Sequence, residues 1–248
     1  MKRLLDIAGA LCGLAVTGPF MALAALLVWL QDFHSPLYIP WRVARGGGRF
    51  RMFKLRSMVI RADATGVSST AGDDRRITRL GHVIRRFKLD ELPQLFNVLI
   101  GDMSLVGPRP NVESEVRAYT PQERHLLDAR PGITDMASIA FADESDVLRG
   151  SADPDLAYNQ LIRPWKSRLG LLYVSHASVG LDLQLLGLTA LTLVNRRSAL
   201  DRLEKLVASL GAAPEVCAAA GRKGTLVPHP PPGMSQVVGV DLGAAKAP

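Results

Sequence analysis

A 24-residue run without a charge, Ile7 to Leu30, constrains this chain more than any other feature. As one straight helix it reaches roughly 36 Å, enough to cross the hydrocarbon core of a bilayer. Lys2 and Arg3 ahead of it also suit a cleaved signal peptide, but the run is long for that role and carries no convincing cleavage site. Gly18-Pro19 falls at its middle, where proline removes a hydrogen bond and bends or breaks a helix. Both flanks are basic, with Lys2 and Arg3 before the run and Arg42, Arg45, Arg49, Arg51, Lys54 and Arg56 after it. A spanning helix would put one of these flanks on the outer face, against the positive-inside tendency. The pattern therefore favours a re-entrant helix-break-helix over residues 1–32, entering and leaving by the same face, rather than a kinked span.

The rest of the chain carries an excess of positive charge, 30 Lys and Arg against 23 Asp and Glu. Such a balance suits anionic lipid, nucleic acid or a phosphorylated substrate without choosing among them. Cys12 and Cys217 stand apart, one in the apolar run and one near the end, so no disulfide framework or metal knuckle is indicated. Between Phe33 and Arg56, Tyr38 and Trp41 are suited to the headgroup level. Gly46-Gly47-Gly48 reads as a tight turn, since the strand-to-helix spacing of a phosphate-binding loop is missing. Arg49 to Met58 alternates basic and apolar residues, the pattern of a strand with one buried face. Lys54 and Arg56 then share a face at spacing two, and are expected to meet one anion together. Arg61 to Asp74 reads as a solvated loop.

Asp74 to Lys88 has apolar residues at helical spacing and six basic ones, an amphipathic helix that runs directly into Asp90-Glu91. Pro93 suits the first turn of a new helix, which Gly101 ends. Adjacent carboxylates among arginines suit phosphoryl chemistry. One carboxylate can attack phosphorus and form an acyl phosphate, while the other ligates Mg²⁺. Mg²⁺ typically takes one or two carboxylates plus substrate phosphates, and arginine forks match phosphoryl oxygens. Pro108-Arg109-Pro110 sets one arginine on a stiff backbone.

The blocks FRMFKLRSM at 50–58, ITRLGHVIRR at 77–86, LDELPQLFNVLIGDMSLVGPRP at 89–110 and RPGIT at 130–134 resemble the bacterial sugar transferases, the monotopic polyprenyl-phosphate phosphoglycosyl transferases. KRLLDIAGA and the mid-run proline match as well, so the likeness covers roughly residues 1–195. The resemblance implies transfer of a phosphosugar from a UDP-sugar to undecaprenyl phosphate, releasing UMP. The product is a polyprenyl diphosphate-sugar, the first membrane step of exopolysaccharide, O-antigen or glycoconjugate synthesis. It implies that Asp90 carries a covalent phosphosugar, that Glu91 assists at Mg²⁺ with Asp90 beside it, that Arg85 contacts phosphate and that Arg109 meets the nucleotide end. Pro108 and Pro110 flank that arginine in the donor site, and Lys54 and Arg56 map onto the family's basic strand. The setting implied is the cytoplasmic face of a bacterial inner membrane. Partners are a UDP-sugar, undecaprenyl phosphate and lipid, with a homodimer left open and nucleic acid excluded. Two departures bear on sugar specificity. Lys88 stands where the family usually has a small hydroxyl residue, and Asp135, followed by MASIA, replaces the usual glycine after RPGIT.

The remaining segments are read more coarsely. Asn111 to Leu127 and Tyr158 to Ser175 are expected helices, and His176 has no spaced partner and defaults to a structural role. Asp143-Glu144-Ser145-Asp146 reads as hydrated loop carboxylates rather than a second metal site. Gly180 to Val194 is too short to span and suits an interfacial amphipathic helix. The expected architecture is α+β and mostly helical, with a catalytic portion of few strands at 33–197. Residues 198–248 are expected to form a short helix and a disordered Ala-, Gly- and Pro-rich tail. The rival reading is a non-catalytic, membrane-anchored basic protein that binds anionic lipid or nucleic acid. It accounts for the charge but gives no reason for Asp90-Glu91.

Overall fold

The computed structural model describes residues 1–65 and 69–239. The apolar run forms α1, Lys2–Asp32, drawn as one helix with Pro19 inside it rather than two helices separated by a break. Proline forfeits only its own amide bond, and beside it the Thr17 hydroxyl donates to the Gly13 carbonyl at 2.7 Å. By length and composition α1 is the one helix among the described residues that could cross a membrane. Along one stripe it is packed: Asp6, Ala10, Ala24 and Val28 are buried, and a Cβ on Gly9 would lie 2.5 Å from the Leu105 side chain. Elsewhere Leu4, Leu11, Val16, Phe20 and Leu23 are bare.

Four short strands follow: β1 Leu37–Tyr38, β2 Trp41–Val43, β3 Arg49–Arg51 and β4 Lys54–Leu55. They form nested antiparallel pairs, β2 with β3 and β1 with β4. The glycine turn closes the inner pair, with positive φ at Gly46 and Gly47, a conformation glycine adopts without Cβ strain. The expected single strand over 49–58 is thus two strands pairing with different partners.

Helix α2, Arg79–Arg86, is shorter than the periodicity suggests. The preceding residues are held as extended chain, because the Thr78 amide donates to the Ser57 carbonyl at 3.1 Å and the Val59 amide to that of Arg76 at 2.9 Å. Thr78 caps the helix by accepting from the Gly81 amide at 2.9 Å. Gly81 must lack a side chain, since a Cβ there would sit 1.9 Å from the Ser57 oxygen. The expected loop over 61–74 is in part a 3₁₀ turn, Ala62–Thr65, and residues 66–68 lie outside the described residues.

Helix α3, Gln94–Ile100, stops at Gly101, whose φ is 106°. Beyond it come β5 Ser104–Val106, α4 Glu113–Arg117, β6 Gly132–Thr134, α5 Met136–Ala140, α6 Glu144–Val147 and α7 Pro154–Ala157. Strands β5 and β6 pair in parallel. The expected helix over 111–127 is only α4 plus a 3₁₀ segment, Glu123–Asp128. Asp135 earns its place by capping α5: it accepts from the Ser138 amide at 2.6 Å, and the Ser138 hydroxyl takes the Asp135 amide in return.

Helices α8 Arg163–His176, α9 Val179–Val194, α10 Arg196–Ser209 and α11 Pro214–Ala220 complete the body. One face of α9 is buried through Leu181, Leu185 and Leu188, while Leu193 and Val194 are bare at its end. The segment after 198 departs from expectation. Val216, Ala219 and Ala220 belong to the same apolar core as α5 and α8, and the chain after α11 lies on α8, with the His229 ring stacked 4.4 Å from Trp165. Burial of a second apolar helix supplies what the composition of the tail does not suggest. Residues 240–248 lie outside the described residues.

Both ends of α1 are fastened to this body. Near the start, Lys2 donates to Asp182 at 2.5 Å, to the Tyr173 hydroxyl at 3.0 Å and to the Val106 carbonyl at 3.0 Å. Arg3 donates to the carbonyls of Val98 and Leu99 at the end of α3, where the helix dipole favours a cation. Buried Asp6 accepts from the Ser104 hydroxyl at 2.8 Å and the Leu105 amide at 2.9 Å. At the other end Asp32 takes a two-pronged bond from Arg56 at 2.5 and 2.6 Å. Lys2→Met is expected to lower stability by about 2 kcal/mol, because the enclosed Asp182 loses its cation while Lys2 itself is partly hydrated. Thermal unfolding in nanodiscs checks this, and an unchanged Tm would mean the network adds nothing.

Candidate active site

Asp90 and Glu91 lie on a 3₁₀ turn, Leu89–Glu91, wedged between α2 and α3. Lys88 opens the turn in the left-handed region, with φ 56°. The chain therefore reverses sharply after α2, which carries Asp90 inward to 6% exposure. Its Oδ2 stands 3.3 Å from the Lys54 ammonium. Its Oδ1 is buried with no hydrogen-bond partner, and so are both polar atoms of the Gln94 side chain one helical turn on. Buried polar atoms without partners are rare in folded proteins. Here they mark a place built to receive something polar.

Lys54 reaches Asp90 because Asn97, fully buried in α3, imitates a strand edge. Its side-chain oxygen accepts from the Phe53 amide at 2.8 Å, and its Nδ2 donates to the Arg51 carbonyl at 2.7 Å. The loop joining β3 to β4 is thereby pinned to the helix that follows Asp90. The signal for this role in the sequence is a lone asparagine within the apolar run QLFNVLI.

Glu91 is gripped by Arg109 through two bonds, Nη2 to Oε1 at 2.5 Å and Nη1 to Oε2 at 3.2 Å. Burial pushes the Glu91 carboxyl up, but Arg109 and Lys54 together outweigh it and hold it well below the usual range. The same pair holds the Arg109 guanidinium charged. Arg109 is delivered by a tight backbone crossing. Gly107 donates to the Thr134 carbonyl and Gly132 to that of Pro108, each at 3.0 Å. A Cβ on Gly107 would lie 2.2 Å from the Arg130 oxygen, and one on Gly132 2.1 Å from the Gly107 nitrogen. Pro108 and Pro110 are buried on either side, so they shape the backbone beneath the arginine.

The structure thus brings together Asp90, Glu91, Lys54, Arg109, Pro108 and Pro110. It does not bring Arg56 with them. Lys54 faces Asp90 whereas Arg56 is spent on Asp32 and the Ser35 carbonyl, so the two do not share one anion as their spacing suggests. Arg85 is half-buried on α2, with no bond or ion pair to its side chain among the described residues. Gly18 and Pro19 lie on α1, in its half-exposed middle.

Two further charged groups face Arg109. Arg42 on β2 is brought near because the neighbouring Val43 amide donates to the Asn111 carbonyl at 3.0 Å. Burial, with Arg109 adding repulsion, pushes the Arg42 guanidinium below its ordinary value. Its one side-chain bond among the described residues goes to the Trp41 carbonyl. Glu144 on α6 is paired with Lys166 on α8. Burial raises the Glu144 carboxyl, while Lys166, Arg109 and Lys88 more than reverse that. The acidic run at 143–146 is a helical turn rather than a loop, and only part of it is merely hydrated: Asp143 meets Arg196 and Arg222, whereas Asp146 is exposed and meets Arg149 at the surface. Among the described residues no three side chains form a ready metal cage.

A buried carboxylate with one free oxygen, beside a carboxylate–arginine clamp, is an arrangement for handling phosphoryl groups. The model of the bacterial sugar transferase family matches residues 1–196. This chain is a member of that family. A putative undecaprenyl-phosphate N-acetylgalactosaminyl 1-phosphate transferase of Bacillus subtilis is 48% identical over 110 residues, 44% of this chain and 62% of that protein. A UDP-glucose:undecaprenyl-phosphate glucose-1-phosphate transferase of Caulobacter vibrioides is 36% identical over 66% of this chain and 64% of its own. An exopolysaccharide production protein of Rhizobium leguminosarum is 35% identical over 75% of this chain and 91% of its own. The chain spans less than two thirds of the first two relatives.

Two outcomes test the site as built. Asn97→Leu leaves the Phe53 amide and Arg51 carbonyl unmatched and is expected to cost about 2–4 kcal/mol. A denaturation midpoint within error of the parent would contradict the pinning role. Glu91 has a folded pKa below its ordinary 4.5, so its stabilisation is present above about pH 4.5 and is lost as pH falls further. In Arg109→Met burial prevails, the carboxyl moves upward, and the acid limb of stability is expected to shift to higher pH. Unfolding followed across pH 3–6 reads this directly.

Proposed function

We propose that this protein is a phosphoglycosyl transferase that moves a sugar phosphate from a UDP-sugar to undecaprenyl phosphate. The observation that carries the reading is Asp90: buried, one oxygen fixed by Lys54 and the other without a partner, next to a second carboxylate held by an arginine. Oδ1 attacks the phosphorus bearing the sugar, its bond to UMP breaks, and UMP leaves with the electron pair. The aspartyl-phosphosugar is then attacked by a phosphate oxygen of the polyprenyl carrier. The Asp90 carboxylate departs, leaving a polyprenyl diphosphate-sugar. Lys54 holds Asp90 ionised and aligned for both displacements.

Glu91 fits a magnesium ion, since its two bonds to Arg109 leave lone pairs on each oxygen and substrate phosphates would complete the shell. Such an ion supplies charge neutralisation at the phosphoryl oxygens. Arg109, with Arg42 and Arg85, neither of which meets a carboxylate among the described residues, supplies forks for the diphosphate of the donor.

A same-face arrangement of α1 on the cytoplasmic side of the membrane fits this chemistry. Lys2, Arg3 and Asp6 at one end and Asp32 at the other all bond to the same polar body. A bilayer about 30 Å thick between the two ends would break one set. Besides the bare apolar side of α1, Val83 of α2, Phe87 just after it, and Phe96 and Ile100 of α3 are exposed on elements that pack against α1, apolar surface suited to lipid and close to Asp90 in the chain. The rival reading, a basic protein holding lipid or nucleic acid by charge, is weakened because Lys2, Arg3, Lys54, Arg56, Arg76, Arg109 and Arg163 are engaged inside the protein.

The test is UMP release by full-length protein in nanodiscs with undecaprenyl phosphate, Mg²⁺ and a panel of UDP-sugars. Asp90→Asn is expected to lower turnover by about 10⁴-fold or more and to remove the covalent phosphosugar detected by intact-protein mass spectrometry. Retained turnover in that variant would sink the assignment.

A further inference from the structure

The family match ends at residue 196, yet the chain beyond it returns to the edge of the active site. It does so at two places, each beside one member of the Glu144–Lys166 pair. At the first, the Arg222 Nη2 lies 3.3 Å from Asp143 Oδ2 while Arg196 takes the other oxygen at 2.8 Å. The Arg222 guanidinium also covers the Phe141 ring, at 5.1 Å from its centroid. Asp143 begins α6, its carbonyl accepting from the amides of Asp146 and Val147, and Glu144 is the next residue.

At the second, the strap after α11 grips α8 on both sides of Lys166. The His229 ring stacks on Trp165 with an interplanar angle of 16°, and Arg168 donates to the Pro230 carbonyl at 3.0 Å. Further anchors keep the strap down: the His229 amide donates to the Gln160 carbonyl at 3.0 Å and the Thr120 hydroxyl to that of Pro232 at 2.6 Å. Between these two grips stand the Glu144 carboxylate and the Lys166 ammonium, the latter also over the Tyr158 ring at 5.3 Å. A charge pair needs both partners held if it is to present a fixed face to a ligand, since loose pairs lose their gain to side-chain entropy.

We propose that residues 197–239 are a built-in brace of the active site, in which Arg222 and His229 act as positioning residues for Glu144 and Lys166, and that this pair helps hold the donor. The carboxylate offers acceptors to sugar hydroxyls and the ammonium a donor to phosphate. This rests on the phosphoglycosyl transferase reading for the identity of the donor, but the bracing itself does not.

The experiment compares Arg222→Ala, Arg222→Lys, His229→Ala, Glu144→Gln and the Arg222→Ala/Glu144→Gln double variant, as full chains in nanodiscs. Donor KM is expected to rise about five- to tenfold in Arg222→Ala with kcat within about twofold, and Arg222→Lys is expected to recover most of it. The double variant is expected to resemble Glu144→Gln alone, because the two changes act on one contact. Hydrogen exchange at residues 144–148 and 163–168 is expected to quicken about tenfold in Arg222→Ala and His229→Ala. A lowered Tm with unchanged KM, or effects that simply add, would overturn the role in donor binding. Unchanged exchange at both segments would overturn the brace. If the parent protein turns over no UDP-sugar, the proposed reaction fails, and the exchange measurement still decides the brace.

Discussion

The site depends on a backbone crossing that only glycine permits. Gly107 and Gly132 let two chain segments approach within a carbonyl–amide bond of each other. That contact sets Pro108-Arg109-Pro110 against the turn bearing Asp90 and Glu91. An arginine carried on an ordinary loop would lose much of its grip to motion, whereas one between two buried prolines on a pinned strand end arrives already aimed. A buried ion pair is favourable only when its geometry is good and its remaining atoms are matched. The two-pronged Glu91–Arg109 contact meets that condition, and the crossing is the reason it can.

The same logic separates structural charge from chemical charge. Lys2 with Asp182, Arg56 with Asp32 and Arg163 with Glu123 are closed pairs whose partners belong to different elements. They staple the long apolar helix and the interior helices into one body. Around Arg109 the balance differs. Arg42 has no carboxylate in ion-pair contact among the described residues, and Asp90 keeps one oxygen without a partner. A buried carboxylate with an open oxygen beside a clamped carboxylate–arginine pair is the kind of charge arrangement found at functional sites.

What was readable in the chain follows from the range of the interactions involved. The apolar helix, the glycine turn at 46–48 and the Pro93 start of α3 are local features, so composition and spacing disclose them. Arg56 misled because spacing two implies a shared face only while a strand continues, and β4 ends at Leu55. Lys2 and Arg3 read as the basic flank of the apolar run, but their partners at 98–106 and 182 are invisible to local pattern. Helix α2 began later than its periodicity because an edge contact with Ser57 competed for its first turn. Glu144 sits in an acidic run that looks merely hydrated until Lys166, brought up by a helix twenty residues on, closes over it. The Pro- and Ala-rich end looks disordered because its order comes from the body it lies on.

In the proposed reaction, placing Asp90 near the long apolar helix would have a physical consequence for the order of events. A polyprenyl phosphate is confined to the bilayer surface, while a nucleotide sugar arrives from water. One buried oxygen of Asp90 cannot serve both at once. The proposed covalent intermediate would remove the conflict, because the phosphosugar would stay fixed while the nucleotide left and the lipid phosphate took the vacated position. The closed staples at both ends of α1 matter for this sequence of displacements. They fix α1 relative to the body that carries Asp90, so in the proposed reaction the second phosphate would meet the aspartyl group at a set depth.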